Sequence, residues 1–320
     1  METVSIVITC YNLADFVTEA IDSALAQTGP AVEVVVVDDA STDGSWRAIE
    51  AYGDRVRALR LSENGGAARA RNRGASAARG AWLLFLDGDD FIAPDTAGAL
   101  LEAARAHPGD LAACGWEFLL RRDGGWEPYV PERPLVPPGD PLEGWLRGIW
   151  VPPCAVLYPR AVYAAAGGFD EQLRRNDDGD MAMRCFAAGA GMVEARGGHA
   201  FYRRHLGSRP TLSTDNRSSA ALWSQARVFD KLTTQLGAQG RLDAYRPLIE
   251  TQYGNVALHA LTVGEHAVAR WCLERGGAGA AAVVRPGTLP GRLLARAFGL
   301  HGKYRVARMM RRWRAAVARR

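Results

Sequence analysis

The first hundred residues alternate between two kinds of apolar pattern. Short β-branched runs bounded by turn residues are typical of buried strands, whereas apolar residues spaced three and four apart mark one face of a helix. The strand-like runs lie at residues 4–9, 32–37, 56–61 and 82–86, and the helical patterns at residues 15–27, 45–52 and 67–78. This alternation predicts an α/β fold with a mostly parallel central sheet flanked by helices.

The pattern is less regular after residue 90. It predicts a helix, an extended segment, an irregular Gly- and Pro-rich stretch, a short strand and another helix, at residues 94–106, 111–121, 123–141, 154–158 and 180–188. From Ser219 onward the apolar spacing is helical. We therefore predict three regions: a sheet domain (residues 1–212), a helical extension (213–284) and a basic tail (285–320).

Carboxylates gather at three points along the chain. Asp38 and Asp39 end the second predicted strand, an Asp-Gly-Asp-Asp sequence at residues 87–90 ends the fourth, and Asp177, Asp178 and Asp180 precede a predicted helix. In parallel sheets, ligands bind outside the carboxyl ends of the strands. Crowded carboxylates repel one another unless a cation or hydrogen-bond donors neutralise them, and their oxygens suit Mg²⁺ or Mn²⁺. A metal–diphosphate site is therefore expected, with a solvated acidic turn as the alternative.

Several short motifs follow one another in a characteristic order. They lie at residues 4–12, 36–45, 64–74, 80–90, 167–178 and 202–208. Together they resemble the motifs of family 2 glycosyltransferases over about residues 3–210. The resemblance implies the GT-A fold, which is Rossmann-like, and inverting transfer of a sugar from a nucleoside-diphosphate donor to an acceptor hydroxyl. It also implies bacterial polysaccharide or glycoconjugate synthesis, with a glycan or lipid-linked acceptor.

The resemblance assigns roles to residues that would bind the donor nucleotide. It implies that Thr9 and Tyr11 line the nucleoside pocket. Asp39 would accept the N3–H of a uracil or thymine ring, and Arg71 would contact the base or the phosphates. A UDP-sugar is the expected donor, although a thymine ring offers Asp39 the same N3–H.

Further residues are assigned to the metal and to catalysis. The resemblance implies that Asp89 binds Mn²⁺ or Mg²⁺ directly, that Asp87 lies near the ribose and the metal, and that His205 reaches the diphosphate or the metal. Asp178 resembles the catalytic base, which must lie within hydrogen-bond reach of the attacking hydroxyl. The neighbouring Asp177 is the alternative base.

One departure from the family pattern concerns the acceptor side. The family usually has an aromatic residue after the central Asp of the third acidic motif, where this chain has Gly179. The type of acceptor therefore stays open.

Several of these side chains also have plainer interpretations. Arg71 could lie on a solvated helix face, and His205 could be a surface histidine. Aromatic residues on the acceptor side could stack on sugar rings, but core packing is the favoured interpretation. These residues are Trp116, Trp126, Trp145 and Trp150.

Two other functions are weaker alternatives. A sugar nucleotidyltransferase would need a Gly-rich phosphate loop near the first strand, where this chain has Thr9-Cys10-Tyr11-Asn12. A catalytically silent donor-binding or scaffold subunit would not need Asp39, Asp89 and Asp178 together. An active, metal-dependent transferase is therefore expected.

Charge separates the tail from the rest of the chain. Residues 285–320 contain eleven Arg or Lys and no Asp or Glu, so the first 284 residues carry 28 basic and 35 acidic side chains. Val306, Met310, Trp313 and Val317 form one apolar stripe within the basic segment 303–320. A basic amphipathic helix suits an anionic membrane surface, and docking on the chain's own acidic domain or on a partner is the alternative. No nucleic-acid partner is expected.

The sequence also predicts a compartment. It shows no signal peptide and no apolar run of membrane-spanning length, and its five cysteines are widely spaced. We therefore expect a cytoplasmic protein with free thiols, attached peripherally to the inner face of the cytoplasmic membrane by the tail.

Overall fold

Nine strands among the described residues form one mixed sheet. The structure is a computed structural model that describes residues 2–122, 125–131, 134–205 and 218–285. The strands are β1 (Thr3–Cys10), β2 (Ala31–Asp38), β3 (Arg57–Arg60), β4 (Trp82–Asp87), β5 (Phe91–Ile92), β6 (Leu111–Arg122), β7 (Gly125–Tyr129), β8 (Val156–Pro159) and β9 (Met192–Arg204). Their order is β3-β2-β1-β4-β8-β6-β9-β5, and β7 pairs with β6 outside this path.

Seven α-helices connect or cover these strands. They are α1 (Val17–Leu25), α2 (Ser45–Glu50), α3 (Ala67–Ala77), α4 (Thr96–Ala106), α5 (Pro141–Leu146), α6 (Arg160–Ala165) and α7 (Asp177–Ala187). Helix α1 buries Val17, Ala20, Ile21 and Ala24, which the three-and-four spacing places on one face. Helix α5 begins where the Asp140 side chain accepts the N–H groups of Leu142 and Glu143, with a proline in the first turn.

Strands β1 to β4, which the sequence predicted, form the parallel half of the sheet. Strand β1 pairs in parallel with β2 and β4, and β2 pairs in parallel with β3. The Val-, Ile- and Leu-rich sequences of β1, β2 and β4 are largely buried, as expected of parallel strands that are covered on both faces, whereas the edge strand β3 is partly exposed. The register sets Cys10 beside Asp38 and Thr9 beside Asp87, so the first two acidic clusters lie at one edge of the sheet. The predicted α/β fold is therefore confirmed.

The second half of the sheet contains both antiparallel and parallel strand pairs. The sequence had predicted a mostly parallel sheet and did not indicate these antiparallel pairs. Strand β8 is antiparallel to β4 and β6, whereas β6 and β9 are parallel. Three strands had not been predicted: β5, β9, and β7, which lies inside the stretch 123–141 that was expected to be irregular. Strand β9 pairs with β6, about eighty residues earlier in the chain, and the two-residue strand β5 pairs with β9, whereas β7 forms a hairpin with β6.

Two predicted boundaries were wrong. Residues 154 and 155 of the expected strand at 154–158 belong to a 3₁₀ turn, Pro153–Ala155, and β8 begins only at Val156. Helix α7 begins at Asp177, so the third acidic cluster lies inside its first turn and not before it. Aspartate has low intrinsic helix propensity, but its carboxylate is stabilised at a helix N-terminus by the helix dipole.

The chain divides into two units, Met1–Thr214 and Asp215–Arg320. The described part of the second unit consists of α8 (Ser219–Ala238), α9 (Leu242–Val263) and α10 (His266–Val284). Helices α9 and α10 approach closely at Gly254, where a Cβ atom would lie 2.7 Å from Val283 Cβ. The predicted basic helix at 303–320 lies outside the described residues. No helix in the described part of the chain is both long and apolar enough to cross a membrane.

Candidate active site

The carboxyl edge of the parallel strands brings Thr9, Asp87 and Arg71 together. The Thr9 hydroxyl donates to Asp87 Oδ1 at 3.1 Å across the β1–β4 pair. Arg71, on helix α3, donates from Nη2 to Asp87 Oδ1 at 2.7 Å and from Nη1 to Asp177 Oδ2 at 2.6 Å. Because Arg71 is only 4% exposed, its interpretation as a solvated helix residue is wrong.

The Arg71 ion pairs also explain the charge states at this edge. Burial alone would lower the pKa of Arg71, but the Asp87 and Asp177 carboxylates raise it overall. Burial raises the pKa of Asp177 to about 6, while Arg71 opposes this rise and Asp178 adds to it. Arg71 therefore keeps its charge, and Asp177 is held as its partner.

Asp178 has a different environment from its neighbour. Its Oδ2 accepts a hydrogen bond from the Trp150 indole Nε1 at 2.8 Å. This neutral donor orients the carboxylate, whereas Asp177 is oriented by a guanidinium. The next residue, Gly179, is buried, and a Cβ atom there would overlap the Asn176 side chain. A larger residue at 179 would therefore require Asn176 to move.

Asp89 lies beside His205, at the ends of β4 and β9. The distance from Asp89 Oδ2 to His205 Nε2 is 3.0 Å. The imidazole is 4% exposed and contacts the rings of Phe16 and Trp126 edge-on, at centroid distances of 5.0 and 5.2 Å. The interpretation of His205 as a surface histidine is therefore wrong.

Arg203, which had not been singled out from the sequence, supports the Asp89–His205 pair. Its Nη1 donates to the Asp89 carbonyl oxygen at 2.8 Å, and its backbone N–H donates to Asp90 Oδ1 at 2.8 Å. The guanidinium lies over three aromatic rings, those of Phe16, Phe91 and Trp126. Burial, with the nearby Asp89 and Asp87, raises the pKa of Asp90 well above its usual range.

Asp39 is the best-oriented carboxylate of the first acidic cluster. Its two oxygens accept the backbone N–H groups of Gly65 and Gly66, each at 2.8 Å. Tyr11 follows the neighbouring strand β1, and its ring is 46% exposed. The two strand ends are joined by the Asp39 N–H, which donates to the Cys10 carbonyl oxygen. The buried Asp39 carboxylate, which can accept hydrogen bonds, and the exposed Tyr11 ring thus lie at the ends of two adjacent strands.

The four tryptophans of the acceptor side do not share one environment. Trp116 and Trp145 are buried, as the core-packing interpretation expects. Trp126 and Trp150 are half-buried, and they contact His205 and Asp178, respectively.

Asp89 and His205 would occupy only two coordination positions of a cation and would leave the others for a bound substrate. Within the described ranges, no group of three or more His, Cys, Asp or Glu side chains is arranged to hold a metal ion. Asp89 and His205 form a set of two. Mg²⁺ is commonly held by one or two carboxylates while substrate phosphates complete its shell, so the Asp89 carboxylate, with His205 beside it, fits a metal–diphosphate complex.

We expect Arg71→Ala to destabilise the folded chain by about 3–5 kcal/mol, because Asp87 and Asp177 would lose the counter-charge that accompanies their burial. The measurement is the free energy of unfolding in urea. The matched control is Arg73→Ala on the exposed side of the same helix, which should change stability by no more than about 0.5 kcal/mol.

A double variant, Arg71→Ala with Asp177→Asn, should recover part of the loss because it removes one uncompensated charge. If Arg71→Ala proved no more destabilising than the Arg73 control, the ion pairs would not hold this edge together.

Comparison with known proteins identifies the family to which these motifs belong. Residues 5–157 match the model of glycosyl transferase family 2. The succinoglycan biosynthesis protein ExoO of Rhizobium meliloti is 46% identical over 110 residues, which cover 34% of this chain and 32% of ExoO. The glycosyltransferase EpsJ of Bacillus subtilis, which is uncharacterized, is 33% identical over 195 residues, which cover 57% of this chain and 56% of EpsJ. The chain thus spans about a third to just over half the length of these relatives.

A structural match extends over more of the chain. The crystal structure of Staphylococcus aureus TarS residues 1–349 in complex with UDP-GlcNAc matches with a TM-score of 0.69 at 19% identity, covering 98% of this chain and 92% of that one. At this identity the match concerns the fold, which is that of GT-A glycosyltransferases. The family model, the relatives and the fold agree with the motifs at the sheet edge, and the chain belongs to the family 2 glycosyltransferases.

Proposed function

We propose that this chain is an inverting glycosyltransferase that moves a sugar from a UDP-sugar to an acceptor hydroxyl. The observation that carries the proposal is that Arg71 forms ion pairs with two carboxylates. It thereby holds Asp87 of the candidate donor site close to Asp177 of helix α7. Asp177 is the sequence neighbour of the candidate base, so donor and acceptor chemistry would meet there. A polysaccharide or glycoconjugate is the proposed product, since ExoO is named for succinoglycan biosynthesis.

The proposed donor is a UDP-sugar because a carboxylate is available to recognise the base. TarS has been crystallised with UDP-GlcNAc and with UDP. In this chain the Gly65 and Gly66 N–H groups fix the plane of the Asp39 carboxylate, and each oxygen keeps a lone pair that could accept the uracil N3–H. The exposed Tyr11 ring would supply apolar surface for the base.

Asp89 and His205 are the residues that we propose hold Mn²⁺ or Mg²⁺. When bound, such a cation neutralises the negative charge that develops on the leaving diphosphate. The chain's own part is to keep the two ligands in place. Arg203 donates to the Asp89 carbonyl oxygen, and the rings of Phe16 and Trp126 limit the orientations open to the His205 imidazole.

Asp178 is the residue that we propose acts as the general base. Asp177 is committed to Arg71, whereas Asp178 accepts only a neutral indole N–H among the hydrogen bonds of the described chain. The Asp178 carboxylate would take the proton of the acceptor hydroxyl while that oxygen bonds to C1 of the donor sugar. The bond from C1 to the diphosphate oxygen breaks on the opposite side, so the anomeric configuration inverts.

We expect UDP to bind the full-length chain at least about tenfold more tightly with Mn²⁺ than with EDTA, and His205→Ala to abolish most of this gain. Isothermal titration calorimetry measures both. His199→Ala on the same strand is the matched control, because His199 is partly exposed and does not contact Asp89. Equal UDP affinity with Mn²⁺ and EDTA would contradict the assignment of Asp89 and His205.

The same preparation tests the transfer itself. UDP release from UDP-GlcNAc should require Mn²⁺ or Mg²⁺ and should be lost in Asp178→Asn, while UDP affinity stays unchanged because Asp178 lies on the acceptor side. UDP binding without turnover of any UDP-sugar would instead support a silent donor-binding subunit.

We expect Asp39→Asn to weaken UDP binding by about 1–3 kcal/mol and to lower the ratio of the UDP affinity to the CDP affinity. Uracil donates its N3–H to a carboxylate, whereas the N3 atom of cytosine is an acceptor that an Asn amide can satisfy. The readout is the ratio of the two affinities by calorimetry. If both nucleotides lost affinity equally, Asp39 would act only on the Gly65–Gly66 loop and not on the base.

We also propose that the basic segment 303–320 attaches the protein to anionic membranes, where a lipid-linked acceptor would lie. Each basic residue near such a surface contributes about 1 kcal/mol. Co-sedimentation with phosphatidylglycerol-containing vesicles should be strong at low salt, weaken at high salt and disappear in a chain truncated after Gly302. Equal behaviour of both chains would exclude this role for the tail.

A further inference from the structure

A row of aromatic side chains crosses three neighbouring strands. Tyr202 on β9 is the register partner of Phe118 on β6, and Phe118 is the register partner of Tyr129 on β7. Register partners project from the same face of a sheet. Their ring centroids are 5.7 Å apart for Phe118–Tyr202 and 6.2 Å apart for Phe118–Tyr129. The three rings therefore form one continuous surface.

One end of this row reaches the candidate base. The Trp150 ring packs edge-on against Tyr202, with centroids 5.7 Å apart, and against Trp116 at 5.4 Å. Its indole Nε1 donates to Asp178 Oδ2 at 2.8 Å. We call Trp150, Tyr202, Phe118 and Tyr129 the aromatic row. It begins at Asp178 and ends at Tyr129, on an edge of the sheet.

The aromatic row is not core. Tyr129 is 52% exposed, and the other three members are half-buried, whereas the adjoining Trp116 is 6% exposed. Aromatic surface that remains open to solvent in a contiguous patch commonly marks a binding site. Here the patch adjoins a carboxylate, and it is bordered by Arg204, whose guanidinium lies over the Phe118 ring.

We propose that the aromatic row is the subsite for a sugar ring of a carbohydrate acceptor and that Trp150 positions Asp178 toward the acceptor hydroxyl. This inference rests on the proposed transferase function. Any hydroxyl that Asp178 deprotonates must lie beside Trp150, because the two side chains are hydrogen-bonded. A sugar ring presents an apolar C–H face to an aromatic ring and hydroxyl groups at its edge. It therefore matches an aromatic surface bordered by Asp178 and Arg204.

The two ends of the row have different effects on the reaction. Tyr129 is distant in the row from the base and offers only ring surface, so it should contribute to acceptor binding. Trp150 offers both ring surface and the N–H that orients Asp178, so its N–H should contribute to the rate after binding. If Tyr129 and Trp150 had a purely structural role, their variants would not change acceptor binding and the rate after binding separately.

The binding test uses a glycan array probed with the full-length chain in the presence of UDP and Mn²⁺. Glycans bound by the native chain should lose roughly three- to tenfold in affinity with Tyr129→Ala and should be retained with Tyr129→Phe, which keeps the ring. Val130→Ala is the matched control, since Val130 is 61% exposed beside Tyr129 and lies outside the row.

The kinetic test uses the tightest array glycan as acceptor and UDP-GlcNAc or another accepted UDP-sugar as donor. Trp150→Phe should lower kcat about tenfold with little change in the KM of the acceptor, because it keeps the ring and removes the N–H donor. Tyr129→Ala should raise the acceptor KM and leave the donor KM unchanged. This opposite pattern of kcat and KM is the result that supports the proposal.

Three results would overturn the proposal. They are no glycan binding at all, glycan binding that survives Tyr129→Ala, and a Tyr129→Ala chain that instead loses binding to lipid vesicles or to a protein. UDP calorimetry on the same variants keeps the two proposals apart. Intact Mn²⁺-dependent UDP binding would leave the transferase proposal standing, whereas loss of UDP binding in the native chain would remove its donor site.

Discussion

The Arg71 guanidinium, held between two carboxylates, is the interaction on which the site depends. Its partners come from β4 and α7, and Asp87 at the end of β4 is about ninety residues before Asp177 at the start of α7. Burial of a guanidinium is costly unless an opposite charge accompanies it, and hydrogen bonds to its N–H groups lower the cost further. Asp87 and Asp177 satisfy two of these groups, and the Phe169 ring lies 5.2 Å from the guanidinium carbon. The position of helix α7 is thereby tied to the end of β4.

This pairing also gives two adjacent carboxylates different environments. Asp177 and Asp178 both lie in the first turn of α7, but a helix directs consecutive side chains about a quarter-turn apart. One therefore points to Arg71 and the other to Trp150. The sequence alone left open which of them is the base, because it shows their order and not their partners. The ion pair of Asp177 with Arg71 is the difference in environment on which the proposed assignment of Asp178 rests.

The parallel strands were predictable from sequence, whereas the supports of the site were not. Strands β1, β2 and β4 are buried on both faces, so their composition alone identifies them. Strand β9 mixes glycines, arginines and aromatic residues, and its conformation depends on pairing with β6, about eighty residues earlier. Arg203, and the hydrogen bond of Trp150 to Asp178, were missed for the same reason. Their partners, Asp89 and Asp178, are 114 and 28 residues away along the chain.

The end of β9 shows how strand geometry could connect the two halves of the reaction. Consecutive strand residues point to opposite faces. Arg203 and, one residue beyond the strand, His205 lie on the side of Asp89, whereas Tyr202 lies on the side of Trp150 and Asp178. A displacement of this strand would therefore move the candidate metal ligand and the aromatic row together. Strand β7 adds a residue to each side, with Trp126 against His205 and Tyr129 against Phe118. Strands β6, β7 and β9 thus carry residues of the proposed donor subsite on one face and of the proposed acceptor subsite on the other.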